Sequence, residues 1–211
     1  RGAGNLLGAE QSGFIADLGY ETYQKILSEA VKELKNDEFK QLFVQQMAEG
    51  ETVTGEDFVD ECLLESDLQM YFPDAYVPGS TERMLLYREL DGLETDQAVE
   101  AFRQRMIDRF GPIPPEGEEL IRVVKLRRLG KYFGSERIVL KNKRMRMYFV
   151  KDDDSPFFQS DAFGQIISYF TLHPADCQLD EVNGRRSMLL RGIGTVAQAV
   201  GVLEGMRKIE N

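Results

Sequence analysis

Only two cysteines and one histidine stand in 211 residues. Cys62 and Cys177 are far apart and form no Cys-x-x-Cys pair, which excludes a zinc site of that kind. They are expected to be two buried free thiols in a reducing cytoplasm. A single histidine, His173, excludes any two-histidine metal or catalytic set, and with Pro174 behind it His173 reads as a helix end. No apolar run approaches the ~18 residues of a membrane-spanning helix. The chain also lacks a Gly-x-x-x-x-Gly-Lys-Ser/Thr phosphate loop and a Gly-x-Ser-x-Gly nucleophile elbow. The run Asp152-Asp153-Asp154 precedes Ser155-Pro156 and is read as a solvated cluster at a helix start, not a cation site. No hydrolytic chemistry and no metal are therefore expected of this chain. The opening Arg-Gly-Ala-Gly has neither Met nor a charged-then-apolar leader, and the expectation is a piece cut from a longer protein.

Hydrophobic residues make up 42% of the chain and charged residues 29%, a globular composition. The 36 acids outnumber the 26 bases, for a formal net charge of −10. The imbalance is uneven: residues 1–110 hold 23 acids against 10 bases, and 111–211 hold 13 against 16. From Arg122 to Lys151 there are eleven Lys/Arg and one acid, Glu136. An acidic half beside a basic stretch suggests protein contacts in a larger assembly more than free nucleic-acid binding.

Residues 1–13 are glycine-rich (Gly2, Gly4, Gly8, Gly13), which suits a tightly bent loop. Tyr23, Ile26, Leu27, Ala30, Val31 and Leu34 then make a helical stripe. An acidic stretch, 36–59, is broken by Gly50 and Gly55 and reads as a linker with a short helix around Phe39–Met47. Cys62–Phe72 reads as extended, followed by a turn through Pro73-Asp74 and Pro78-Gly79. Ser80 is the expected N-cap of the next helix, and Thr95 caps another that ends at Gly111-Pro112. Pro114-Pro115 opens a third, to about Phe133. The period then changes to two: Arg137–Leu140 and Arg144–Val150 flank Lys141-Asn142-Lys143 as a hairpin. Ser155-Pro156 starts a helix with Phe163, Ile166, Ile167 and Phe170 apolar. A second hairpin over about 177–190 turns at Asn183-Gly184, the strongest short-range hairpin signal. Thr195 with Gln198 is a capping box for a last helix to Ile209. From Ser80 the order α-α-α-β-β-α-β-β-α predicts an α+β fold, with helices packed on antiparallel hairpins.

Two stretches carry a family resemblance. Arg1-Gly2-Ala3-Gly4-Asn5-Leu6-Leu7-Gly8 with Gln11-Ser12-Gly13 resembles the segment after the last helicase motif of RecG and of the transcription-repair coupling factors. Tyr71-Phe72-Pro73-Asp74-Ala75-Tyr76-Val77-Pro78 and Ile107-Asp108-Arg109-Phe110-Gly111-Pro112 resemble the C-terminal domain of the coupling-factor family, which RecG lacks. The resemblance implies three parts: 1–35 as the end of the translocase, 36–59 as the acidic linker, and 60–211 as a C-terminal regulatory domain. It implies a parent that uses ATP and Mg²⁺ to move along double-stranded DNA, displaces RNA polymerase and recruits UvrA. Arg1 and Gln11 match the residues that couple hydrolysis to movement in the translocation motif. The nucleotide-binding motifs are not in this chain, so no cofactor is expected here. The C-terminal domain is expected to pack on the parent's own UvrB-like module and to hide the surface that UvrA needs. Glu94, Glu100 and Asp108, around the helix that leads into Asp108-Arg109-Phe110-Gly111, are the expected partner-binding acids. The alternative is an accessory domain that contacts DNA through the basic stretch 122–151.

Overall fold

The computed structural model describes residues 58–182 and 184–209. Arg1, Gln11, the stripe over 21–34 and the linker to residue 57 lie outside the described residues. The elements run in the order β1 (Leu63–Ser66), α1 (Ser80–Asp91), α2 (Asp96–Phe110), α3 (Pro115–Tyr132), β2 (Ser135–Lys141), β3 (Arg144–Phe149), a 3-10 turn (Pro156–Gln159), α4 (Asp161–Leu172), β4 (Cys177–Val182), β5 (Arg185–Arg191) and α5 (Val196–Arg207). This is the α+β arrangement expected. Phe58 and Val59, at the end of the linker as read from the sequence, already pack on the domain.

The five strands form one sheet in the order β1-β2-β3-β5-β4. Three pairings are antiparallel, but β1 runs parallel to β2, with Leu64 opposite Ile138. The expectation of hairpins alone missed this pairing. A parallel pair needs a long crossover, and here α1, α2 and α3 together supply it, so no local pattern announces it. The β2–β3 hairpin turns on Asn142 and Lys143, both with φ near +55°, and the β4–β5 hairpin turns between Val182 and Arg185, with Gly184 at φ +70°.

Register divides the sheet into two faces. Leu64, Ile138, Met147 and Met188 lie in one row across four strands, and all are buried. The neighbouring row, Arg137, Tyr148, Ser187 and Asp180, belongs to the opposite face. Against the apolar face lies α3. Pro115 opens it at N1, Glu116 and Glu118 sit in its positive first turn, and Lys131 in its last. Eight of its eighteen residues are buried, on more than one side, because α1, α2 and α5 also pack against it. That is why its sequence shows no single apolar stripe.

Two helix starts differ from expectation. The first helix begins at Ser80 itself, with Gly79 as the N-cap and no side-chain cap. Gly79 is extended and its carbonyl accepts from the Arg83 N–H at 2.9 Å, so the Ser80 hydroxyl is already inside the first turn. Ser155-Pro156 opens only the 3-10 turn. Ser160 ends it by donating to the Phe157 carbonyl at 2.7 Å and restarts the chain as the N-cap of α4. Thr95 and Thr195 cap as expected, accepting from Ala98 N–H and Gln198 N–H, both at 3.1 Å.

Close approach of α3 to the sheet depends on Gly130. A Cβ there would meet the Cys62 Sγ at 2.5 Å and the Ile138 Cδ1 at 2.9 Å. Gly130→Ala should therefore lower stability by about 1–3 kcal/mol through overpacking, although alanine favours a helix by about 1 kcal/mol. Gly201→Ala in α5, where a Cβ meets nothing within 4 Å, should instead stabilise. Urea unfolding midpoints of the two variants are expected to move in opposite directions.

Candidate functional site

The two stretches that carry the resemblance pack against each other. The Tyr76 hydroxyl lies 2.9 Å from the Gly111 carbonyl and 3.2 Å from that of Met106, and its ring is 5.7 Å from Phe110. Gly111 holds φ +85°, which only glycine takes freely. Phe72 is buried, stacks on Tyr87 at 5.6 Å, and donates its N–H to the Tyr87 hydroxyl at 3.1 Å. Asp74 pairs with buried Arg83, whose guanidinium also donates to the Val77 carbonyl at 2.7 Å. These residues staple the β1–α1 connection to the end of α2. Their shared work is structural.

Glu94, Glu100 and Asp108 are all exposed, on and just before α2. Phe102 and Met106 are buried on the opposite side, as the stripe predicts. The three acids do not converge. Glu94 precedes the cap and lies in a cleft with Arg127, Arg128 and Lys131; Glu100 opens onto the α2–α3 groove; Asp108 opens onto the α1–α2 groove with Leu86. Eight residues separate Glu100 from Asp108, about 12 Å along the axis and about 80° around it. Glu100 accepts from Gln104 Nε2 at 2.8 Å. Among the described residues no ion pair is made by Glu94 or Asp108.

The basic stretch is turned inward on the domain. Arg122 pairs with Glu118 and Glu119, Lys125 with Asp96 and Glu204, Arg127 with Asp91 and Glu61, and Arg128 with Asp96. On the open sheet face Arg137 and Lys141 meet Glu65, and Arg146 meets Asp180 at 2.8 Å. Arg137 and Arg185 flank the Tyr148 ring, at 4.2 and 5.4 Å, and Arg185 reaches Glu136 at 2.7 Å. So the bases of 122–151 are largely spent on acids of the same domain. Over 58–209 the count is 24 acids to 21 bases, while 1–57 holds 11 acids to 5. The acidity of the first half is shared between 1–57, with 11 acids to 5 bases, and 58–110, with 12 to 5, and the domain is nearly balanced because its second half supplies the bases.

Residues 66–160 match the family profile described as "TRCF domain". The chain carries a TRCF domain. It is 37% identical over 131 residues to the transcription-repair-coupling factor of Rickettsia prowazekii (strain Madrid E), covering 61% of this chain and 10% of that protein. It is 33% identical over 127 residues to that of Bacillus subtilis (strain 168), covering 60% and 9%. A solved structure described as the C-terminal domain of transcription-repair coupling factor shares the fold, at a TM-score of 0.56 and 14% identity, over 72% of this chain and 96% of that one. The chain therefore corresponds to a C-terminal part of the coupling-factor family and spans about a tenth of the length of the curated relatives it matches.

Within this TRCF domain, no group of three or more His, Cys, Asp or Glu among the described residues could hold a metal ion. Both cysteines are free and buried, and burial pushes the Cys62 thiol up to about 12, against the pull of Arg127. His173 ends α4, its ring 4.3 Å from Tyr169. No helix among the described residues is long and apolar enough to cross a membrane. Sequence reasoning did not find the Asp96 clamp or the Arg137–Tyr148–Arg185 stack. Only the β3–β5 pairing, which sets Tyr148 opposite Ser187, brings Arg185 to the Tyr148 ring.

Asp96 is the node that ties α2 to α3. Burial alone raises its carboxyl, but the hydrogen bond from Arg128 at 2.7 Å and the charges of Arg128 and Lys125 outweigh it and hold it below the usual value. Lys125 is raised, first by its hydrogen bond to Glu204. A depressed carboxylate stabilises the fold above its unfolded pKa and loses that stabilisation as pH falls through the folded one. A raised ammonium stabilises below its unfolded pKa and loses it as pH rises through the folded one. Asp96→Asn should therefore cost no more than about 1 kcal/mol at pH 7, since the side chain is largely exposed and screened. The gap to the unaltered chain should close as pH falls below about 4, read by chemical unfolding across pH.

Proposed function

We propose that this domain is the regulatory C-terminal region of a DNA translocase in transcription-coupled repair. In this reading it holds its parent autoinhibited by packing on the parent's UvrB-like module and covering the surface to which UvrA binds. The observation that carries the reading is the division of charge. Most bases of the domain pair with an acid of the domain, while Glu94, just before α2, and Asp108, in its last turn, are exposed and make no ion pair among the described residues. Two exposed carboxylates, one before α2 and one in its last turn, suit a basic protein surface. The internal pairing of Arg122–Lys151 supports this reading over contact with DNA phosphates, which needs bases free to release counterions. Movement on double-stranded DNA, displacement of RNA polymerase and the use of ATP and Mg²⁺ are assigned to the parent, with Arg1 and Gln11 as its coupling residues.

Contacts that hold a closed state shift the closed–open balance by their differential energy. Reversing both free acids, Glu94→Lys with Asp108→Lys, should remove about 1–2 kcal/mol of closure in the full-length parent. UvrA affinity should rise about 5- to 30-fold, with an unchanged melting temperature. Equal UvrA affinity in a stably folded double variant would place the contact on another face. Deletion of 60–211 with no gain in UvrA binding would remove the brake altogether.

A further inference from the structure

Three bases stand side by side on the face of the sheet away from α3. Lys141 in β2 is opposite Arg144 in β3, and Arg144 is opposite Arg191 in β5. Like charges directly opposite on neighbouring strands, about 5 Å apart, destabilise a sheet. The row is only lightly relieved. Lys141 lies 3.6 Å from Glu65, which also serves Arg137 at 3.3 Å. Arg191 donates to two neutral oxygens, the Ala175 carbonyl at 3.2 Å and Gln178 Oε1 at 2.8 Å. Arg144, at the centre, is exposed and makes no ion pair among the described residues.

A second cost stands at the end of the row. The β2–β3 turn holds positive φ at both Asn142 and Lys143, a turn in which Asn-Gly is preferred. Lysine stands where glycine would be free of strain. Lys143 is exposed and makes no ion pair among the described residues. Its carbonyl accepts the Ile193 N–H at 3.1 Å, which ties the turn to the loop before α5. Two local rules are thus broken in the run Lys141–Arg144, each time by a base. Such places are expected where function, and not the stability of the fold, selects the residue.

The surroundings select the partner. The next row along the strands, Glu65, Val139, Arg146, Leu189 and Gln178, contains an acid, and its Arg146 is paired with Asp180. The row after that holds Tyr148, whose ring already has Arg137 and Arg185 against it. A single row of bases beside an acid, with no open ring for a base to stack on, is not the long basic track that a nucleic-acid strand needs. Carboxylates on a protein fit it better, and spacing favours a helix. Three bases on adjacent strands run about 10 Å. Three acids one turn apart on an α-helix run about 11 Å, while three on alternate residues of a strand run about 13 Å.

We propose that the row Lys141–Arg144–Arg191 docks an acidic α-helix of a protein partner, laid across the strands with one carboxylate per turn toward each base. This surface takes an acidic partner, where Glu94 and Asp108 suit a basic one, so it stands apart from the brake.

The whole chain is titrated with two alanine-rich helical peptides of equal charge. One carries a single Glu per turn on one face, and the other carries the same number of Glu scattered round the helix. The aligned peptide should bind at least about fivefold more tightly. Arg144→Glu, and separately Arg191→Glu, should each weaken it about fivefold or more, while Arg88→Glu, in α1, leaves it unchanged. Equal affinity for the two peptides overturns the proposal, as does unchanged binding in both row variants. Tighter binding of a mixed-sequence DNA strand or duplex that Arg144→Glu abolishes overturns it in favour of a nucleic acid. Because Arg144→Glu replaces repulsion by attraction on both sides, it should also raise the urea midpoint of the free chain. A lower midpoint overturns the proposal, since the row then costs the domain nothing.

Discussion

The contact between α3 and the parallel pair β1–β2 is the constraint on which the domain depends. Gly130 lets the helix backbone lie against Cys62 and Ile138, where any side chain would force it away. With α3 at that depth, Leu120, Val123 and Leu126 are fully buried, and α1, α2 and α5 find their places around it. The same contact sets the chain's path. Strand β1 pairs parallel with β2 only because three helices carry the chain back to the same end of the sheet. Gly134 continues the constraint at the C-terminal end of α3. It takes φ +59°, with the Phe157 ring where a Cβ would stand.

Charge then fastens what packing has placed. Arg127 reaches β1 and α1 at once, donating from Nε to the Cys62 carbonyl at 3.0 Å and pairing with Asp91. Lys125 joins α2 to α5 through Asp96 and Glu204, and Glu119 accepts the Val196 N–H at 2.6 Å at the start of α5. Each exposed pair contributes only ~0–1 kcal/mol. Their larger effect is on what the surface can do. A stretch with eleven bases presents few of them to a partner, and a domain cut from a strongly acidic chain is itself almost balanced.

Packing and pairing leave few reactive groups on such a domain. Glu94, just before α2, and Asp108, in its last turn, are exposed and make no ion pair among the described residues, while the buried thiol of Cys62, held in its protonated form, offers no nucleophile.

The residues whose meaning is local were legible in the sequence. Thr95 and Thr195 cap where they stand, Gly111 ends α2, the two hairpins turn where alternation breaks, and Phe102 and Met106 lie inward on their stripe. Each of these follows from backbone geometry within a few residues. The motifs Tyr71–Pro78 and Ile107–Pro112 were legible as family marks, but not as two halves of one staple. The positions of the candidate acids were legible as exposed, but not that they open onto separate grooves. What the tertiary structure decided rests on contacts between distant residues: Glu65 with Arg137, 72 apart, Asp67 with Asn142, 75 apart, and Glu119 with Val196, 77 apart. A charge in a sequence is free to choose any partner of opposite sign, so a basic run reads as a surface for others. Only the fold, by bringing acids of β1, α1, α2, α5 and β4 within reach, determined that these bases answer to the domain itself.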